Sequence, residues 1–428
     1  MTIVAFEGAA GSGKTHSLME ALVETLRDRP LAEHERVMAL TFMHGSRRRL
    51  DARLREIDDL RGRFTAATLD SFAWRLIQRW QRLAGHLGCQ LPSNNEYEHT
   101  CRLAATLLER ADVRRWVTLT YPYILVDEAQ DLSAERSSMI AALAPSGFIL
   151  LAYDEFQCLD TALLPIAIRG WIREHCVPTV LEGCRRTEVA ELIEAATAVR
   201  EGRSVNRDGR CFKLVSTPGH VNYRATFLAN AIAWRNGGNV AVLTPSRRGG
   251  FAETAVARVC EGPVGRRENG PYKISWENSD QQDVDALWET LNTPDRCTVD
   301  HALAIMDDHR NRPAIRILSD WVKRQRNTCG TQEFTADELR RQLGQVLSVR
   351  RRHGHRADVK FSAMTIQQAK NREFDHVVIL WPYNVPNNDE QKRRLLYNAI
   401  TRAKRSCTVL VQSEAMLAEP PFSQRANG

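Results

Sequence analysis

The chain has 428 residues, 43% hydrophobic, 26% charged and 7% aromatic, enough for two or three packed domains of roughly 100–200 residues each. This ordinary composition excludes wholesale disorder, collagen-like repeats and a disulfide-rich miniprotein, and no apolar run approaches the roughly 18–20 residues a membrane helix needs. Lysine plus arginine number 59 against 52 aspartates plus glutamates, a net charge of +7, with arginine clusters at Arg47, Arg48 and Arg49, at Arg53 and Arg55, and at Arg350, Arg351 and Arg352 that suit either a polyanion or a solvated helix face.

The first residues, MTIVAFEGAAGSGKT, have no basic start and no cleavable apolar core, so residues 2–6 read as a buried strand entering a glycine loop, not as a signal peptide. Helical spacing follows at Leu18, Leu22 and Leu26. VMALTF (37–42) is the next strand, with a basic helix from Ser46 to Arg55 behind it. After Phe64–Phe72 a helical stretch covers 73–118, and strands are expected at 123–131, 148–155 and 178–183. Helix VAELIEAATAVR (189–200) opens a second set, continued by strand 239–246. Residues 249–359 begin rich in Gly, Asn and charge, turn helical at SDWVKRQR and ADELRRQLGQVL, and read as an insertion. Strands at 363–368, 376–380 and 407–412, with helix RRLLYNAITRAK (393–404), close the second set before a frayed tail. Strands alternating with helices predict an α/β fold whose parallel sheets are covered on both faces.

The ten cysteines form no CxxC pair and no Cys/His set with zinc spacing. They are expected to be reduced, mostly buried thiols of a cytoplasmic protein.

Gly8, Gly13, Lys14 and Thr15 fit GxxxxGK[ST] on a strand–loop–helix unit. Across Gly8, Ala9, Ala10, Gly11, Ser12 and Gly13 the backbone N–H groups can turn toward phosphates, and the helix start adds its positive dipole end. Lys14 would neutralise the β- and γ-phosphates and Thr15 would hold Mg²⁺ through its hydroxyl, so ATP and Mg²⁺ are the expected ligands. The apolar strand ending at Asp127–Glu128 supports this reading. Asp127 would reach Mg²⁺ directly or through water, and Glu128 would polarise the attacking water as general base. The structural alternative is an Asp–Glu pair capping a helix.

GAAGSGKT and VDEAQD, with further segments in order, resemble the UvrD/Rep/PcrA-like branch of superfamily 1 DNA helicases. ALTFMHGSRRRL looks like the family's Ia segment and FTAATLDSF like its threonine–histidine–serine–phenylalanine segment. LLAYDEFQ, LEGCRRT, MTIQQAKNREFDHVVIL and RRLLYNAITRAK look like the third to sixth motifs. The resemblance implies two RecA-like P-loop NTPase cores with parallel sheets plus short, mainly helical insertions. The first core would be 1–72 with 119–187, and the second 188–248 with 360–428; 73–118 would be a short helical insertion and 249–359 an insertion or accessory domain. It also implies that Gln157 senses the γ-phosphate, that Arg186 and Arg402 reach it from the second core, and that Glu373 contacts the ribose. Thr41, Phe42, Thr68 and Phe72 would lie along a single-strand track, with Phe42 or Phe72 stacking on a base. Sheet-end and core packing is the alternative reading of those four.

The departures fall on the DNA and base sides. The chain begins directly at the P-loop strand, so the family's upstream glutamine segment is expected to be missing, which weakens the case for adenine selection. Asp70 and Gln367 stand where the family has histidine and Asn371 where it has glycine; Cys158–Leu159–Asp160 replaces a DNA-stacking aromatic. The function implied is a DNA-dependent ATPase that translocates on single-stranded DNA or DNA junctions, 3′-to-5′ by resemblance, with duplex unwinding and a place in repair or replication. The alternative is an ATP-gated DNA-sensing subunit that regulates a nuclease or another repair or defence protein without unwinding. No membrane partner is expected.

Overall fold

The computed structural model describes residues 2–42, 44–92, 96–164, 167–235, 237–247, 250–277, 280–353, 360–386 and 388–424. The chain forms two compact units, Met1–Tyr272 with Thr365–Gly428, and Lys273–Met364. The first opens with β1 (Thr2–Gly8), α1 (Lys14–Asp28), β2 (Val37–Thr41), α2 (His44–Arg55), β3 (Phe64–Thr68), α3 (Leu69–Arg79), α4 (Gln81–His86), α5 (Tyr97–Glu109) and α6 (Ala111–Thr120). It continues with β4 (Tyr123–Asp127), α7 (Ala134–Leu143), β5 (Phe148–Tyr153), α8 (Ala167–His175), β6 (Thr179–Leu181), α9 (Ala190–Glu201), β7 (Phe212–Ser216), α10 (Val221–Ala233), β8 (Val240–Thr244) and α11 (Phe251–Glu261). The second unit runs through β9 (Ser275–Trp276), α12 (Asp280–Leu291), β10 (Arg296–Thr298), α13 (Val299–Asp307), α14 (Pro313–Cys329), β11 (Glu333–Thr335), α15 (Ala336–His353) and β12 (Phe361–Thr365). The chain returns with β13 (Phe374–Trp381), α16 (Asp389–Ile400) and β14 (Ala403–Val411).

The first sheet has the order β3-β2-β4-β5-β1-β6, and its paired strands run parallel. Its inner strands are apolar on both faces because both faces are covered. Along β2, Met38 and Leu40 join one core with Leu76, Leu107 and Ile140 of α3, α5 and α7. Val37 and Ala39 point the other way and join Leu18, Leu22 and Leu26 of α1 and Leu50 and Leu54 of α2. The period of two on the strand and the spacing of four on α1 therefore meet across one layer. Leu22 is fully buried, so Leu22→Ala would cost about 2–5 kcal/mol.

In the second core, β7, β14, β13 and β8 lie side by side in parallel, with His376 registered between Val240 and Ser406. The two sheets are the pair of RecA-like α/β layers expected from the sequence. The unit Lys273–Met364 has its own core around Ile315, Leu318, Val322, Leu339 and Leu343. Its β10 and β11 pair antiparallel, and β9 pairs parallel with β12. SDWVKRQR falls on α14, which starts at Pro313 and stops at left-handed Gly330. Arg350, Arg351 and Arg352 fall on the end of α15, with their side chains outside the described residues.

Several boundaries differ from the sequence reading. The strand expected over 123–131 ends at Asp127, because Glu128 turns left-handed at φ 58 and the chain leaves the sheet. The helix expected over 393–404 ends at Ile400, and Ala403 already pairs with Phe374 as strand. β3 and β7 were not anticipated as strands: FTAAT is short and weakly apolar, and FKLVS carries a lysine at its second position.

Candidate nucleotide site

The phosphate loop follows from its glycines. Gly13 sits at φ +92, and a Cβ there would also meet Arg185 Cδ at 2.9 Å, so only glycine fits the turn that starts α1. Lys14 is buried, and its Nζ donates to the carbonyls of Gly8 and Ala9 at 2.9 Å each. Ser12 Oγ is buried in the same loop without a partner. An unmet buried hydroxyl and an ammonium hydrogen-bonded to loop carbonyls fit an anion seated on the loop.

Sheet register brings the acids to this loop. Thr15 Oγ1 donates to Asp127 Oδ2 at 3.0 Å, and Glu128 N–H donates to Asp127 Oδ1 at 3.0 Å. Burial, reinforced by Glu128, pushes the Asp127 carboxyl up to about 6. Burial opposes ionisation of Glu128 too, but Lys14, Lys370, the Gln130 amide and Arg49 outweigh it and hold Glu128 below its usual range. Gln130 Nε2 donates to Glu128 Oε2 at 2.6 Å and fixes that carboxylate. Left-handed backbone at a non-glycine residue costs about 1–2 kcal/mol; here it aims Glu128 out of the strand line. Thr15 and Asp127 are an oxygen donor set suited to Mg²⁺, and a cation there would relieve the repulsion that raises Asp127. Among the described residues no group of three or more His, Cys, Asp or Glu could hold a metal.

The segment after β6 crosses the same loop and meets the second core there. Arg185 N–H donates to Gly11 O at 2.6 Å. A Cβ on Gly11 would meet Arg186 Cβ at 2.8 Å. Arg186 pairs with Glu373 at 2.8 Å and donates to Thr401 O at 3.0 Å, while Lys404 lies 3.3 Å from Glu373. The expected γ-phosphate and ribose contacts are thus each other's partners. Arg402 is 3% exposed and donates to Asn398 O at 3.0 Å. Burial and repulsion from Arg186 push its guanidinium down to about 9, with Glu128 opposing. Gln157 is buried, and its carbonyl accepts from Lys370 Nζ at 3.1 Å.

The four residues assigned to a strand track are placed differently from one another. Thr68 caps α3, accepting from Ser71 N–H at 3.2 Å, and Phe72 is buried in the first core. Packing accounts for the placement of both. The Phe42 ring is half-buried, with the Arg136 guanidinium 5.0 Å from its centre. Thr41 is buried with its hydroxyl unpartnered. Asp70, in the family's histidine position, is 2.9 Å from Arg136 and accepts from Cys101 Sγ at 3.3 Å.

Four residues escaped the sequence reading as site residues. Lys370 pairs with Asp131 at 2.6 Å. Tyr397 OH accepts from Ala10 N–H at 2.7 Å and donates to Asp154 Oδ2 at 3.2 Å. Asp154 also meets Arg200 at 2.9 Å and lies 3.9 Å from Lys14 Nζ. Arg49, counted only within a basic cluster, acts electrostatically on Asp127, Glu128 and Arg402. Its neighbours Arg53 and Arg55 pair with Glu56 and Asp51 on the solvated face instead. The available signal was a polar residue inside an apolar run, as with Tyr397 between Leu396 and Ala399.

Two family models match the chain: the UvrD/REP helicase N-terminal domain over residues 2–100 and the UvrD-like helicase C-terminal domain over residues 360–410. The chain resembles UvrD-like helicases in both cores. No curated protein matches it. Two solved structures of Arterivirus nonstructural protein 10, a helicase, one in complex with DNA, are similar over 96% of this chain at 13% and 12% identity, with TM-scores of 0.38 and 0.37. The chain spans about three fifths of their length, 61% and 59%.

Proposed function

We propose that this chain is an ATP-hydrolysing helicase motor that couples closure of its two cores to movement along single-stranded DNA, 3′-to-5′ by family resemblance. The observation that carries this reading is the convergence of Lys370, Tyr397 and Arg402 from the second core on the loop and acids of the first, with Arg186 of the first core paired to Glu373 of the second. A lone phosphate-binding domain has no use for such a set.

In this reading Lys14 and the loop N–H groups hold the β- and γ-phosphates. Thr15 and Asp127 would hold Mg²⁺, which would neutralise charge on the phosphate oxygens. Glu128, kept ionised by its cationic neighbours, takes a proton from the attacking water. Arg186 and Arg402 stabilise the charge developing on the transferred group. Because Arg402 comes from the other core, its engagement depends on closure, and loss of the γ-phosphate releases it. Gln157, whose backbone carbonyl accepts from Lys370 Nζ, senses that release in this reading.

A second reading is an ATP-gated DNA-sensing subunit acting on a nuclease or another repair or defence protein. The specific observations in its favour are Phe72 buried in the core and Cys158 standing where an aromatic would stack on DNA. The deciding measurement is the ATPase rate with and without single-stranded DNA, with Lys14→Ala as the blank. Stimulation by DNA supports the motor, and strand-displacement assays with each overhang polarity then test direction. Hydrolysis indifferent to DNA favours the gated subunit. Turnover retained by Lys14→Ala sinks the site itself.

A further inference from the structure

A cavity of about 490 Å³ in the second core shares no lining residue with the one beside the phosphate loop. It opens between edge strand β7, its neighbour β14 and helix α10. Lys213 is registered with Thr408 and Val215 with Leu410, so these four side chains point to one face of the sheet. Across from them α10 contributes Phe227 and, just past its end, Trp234 and Arg235.

The lining is cationic: Arg207, Arg210, Lys213 and Arg235 face the single carboxylate Asp208. Arg207 is taken by Glu414 at 2.6 Å. Arg235 is half-buried and donates to the Thr408 hydroxyl at 3.2 Å, and among the described residues no carboxylate pairs with it or with Lys213. A partly desolvated guanidinium whose one partner is neutral is an unmet charge that an anion would satisfy. Beside it Trp234 is 52% exposed, unusual for the largest aromatic side chain. Lys213 Nζ lies 5.3 Å and Arg267 Cζ 5.8 Å from the Trp234 ring centre.

These two features ask for different things. The cations ask for an anion and the indole for a flat ring. A bare phosphate would leave Trp234 uncovered, and an apolar peptide would leave the cations unmet. A nucleotide carries both groups at adjacent positions, and the cavity has room for one. We infer that this cavity is a second nucleotide-binding site, with the phosphate on Lys213, Arg210 and Arg235 and the base on Trp234. The nucleotide is either a unit of a single strand or a free monophosphate, since both present the same chemistry. The inference does not depend on the hydrolysis mechanism, because no residue of this cavity belongs to it.

The test is photocrosslinking of the full chain, with ATP present, to a 5-iododeoxyuridine oligonucleotide and, separately, to free 5-iododeoxyuridine monophosphate. Adducts are mapped by peptide mass spectrometry. An adduct on the peptide carrying Trp234 is expected. If the oligonucleotide alone forms it, the source is a strand; if the monophosphate also does, a free nucleotide suffices. Trp234→Ala should reduce oligonucleotide or monophosphate binding here by about 5- to 150-fold, the factor one stacked base supplies. Arg235→Gln should lower both the adduct yield and the salt dependence of binding. ATPase without DNA should be unchanged in both variants, which shows that they fold. Adducts confined to other peptides, or a yield at this peptide insensitive to Arg235→Gln, overturn the assignment.

Discussion

Tyr397, near the end of α16 in the second core, accepts a hydrogen bond at 2.7 Å from the backbone N–H of Ala10 in the phosphate loop of the first. The same hydroxyl donates to Asp154 at 3.2 Å, and Asp154 lies 3.9 Å from Lys14 Nζ. One phenol therefore reports the loop's position to the helix that precedes Arg402. Burial and the Asp154 charge push its ionisation well up, so it stays a neutral donor and acceptor. Tyr397→Phe keeps the ring and removes only the hydroxyl. A buried hydrogen bond lost with a partner left unmet costs about 1–3 kcal/mol. The ATPase turnover should fall about 5- to 100-fold while nucleotide still binds. Unchanged turnover with normal binding would show that the contact is only structural.

The phosphate side separates into binding and chemistry. Glu128→Gln keeps the hydrogen bond to Gln130 within reach but removes the base. ATP should still bind, and hydrolysis should drop by about 10²–10⁴, the usual worth of a general base. Equilibrium binding of a fluorescent ATP analogue beside steady-state turnover checks this. Loss of binding together with turnover would remove Glu128 from the base role.

Arg402 and Arg186 should act on turnover more than on affinity. An arginine supplied across a cleft is worth about 10³–10⁵ in rate in phosphoryl transfer. Arg402→Ala should lower kcat by at least about 10³ with little change in KM. It also removes one of the two donors to Asn398 O, leaving Thr401 Oγ1 at 3.0 Å, so Arg402→Lys is the companion variant. It retains charge, loses the planar fork, and should recover folding without recovering the rate. A variant that mainly raises KM would mean that Arg402 binds nucleotide and does not stabilise the transition state.

Lys370 and Asp131 tie the cores together at 2.6 Å, with 11% and 6% of their side chains exposed. Burial pushes the Asp131 carboxyl up to about 6 even with Lys370 beside it. Removing one partner of a buried pair leaves the other charge uncompensated, at a cost of about 3–5 kcal/mol. Lys370→Ala should therefore destabilise the chain strongly, and adding Asp131→Asn should restore much of the loss. Urea unfolding of the two single variants and the double variant reads this coupling directly. Additive losses would mean that the pair does not stabilise the closed arrangement.

The parts of this molecule legible in its sequence were those written locally. The strand–loop–helix around Gly13 and the run ending at Asp127 announce themselves because backbone geometry and burial constrain adjacent residues. What was not legible depends on distance along the chain. Ala10 and Tyr397 are 387 positions apart, and nothing near either residue names the other. Arg49 looked like one more member of a basic cluster, yet its charge reaches Asp127 while Arg53 and Arg55 face solvent acids. Phe72 looked like a stacking ring because its segment is motif-like; helix α3 rotates it into the core. Which face a residue occupies is settled by packing, and motif spelling does not encode it.

The last prediction concerns the entry to the second sheet. Glu191, in the first turn of α9, accepts backbone hydrogen bonds from Cys211 at 2.5 Å, Phe212 at 2.9 Å and Arg210 at 3.1 Å. These N–H groups, led by that of Phe212, hold its carboxyl below its usual value of 4.5. A carboxylate with a depressed folded pKa contributes stability above its unfolded value of 4.5 and loses it as pH falls through the lower folded value. Glu191→Gln is nearly isosteric and can still accept, but without charge. It should lower Tm at pH 7, and the gap to the parent chain should close as the pH drops below 4.5. Thermal unfolding of both chains across pH 3–8 measures the gap. A gap constant over that range would show that the carboxylate's charge is not what anchors the start of β7 to α9.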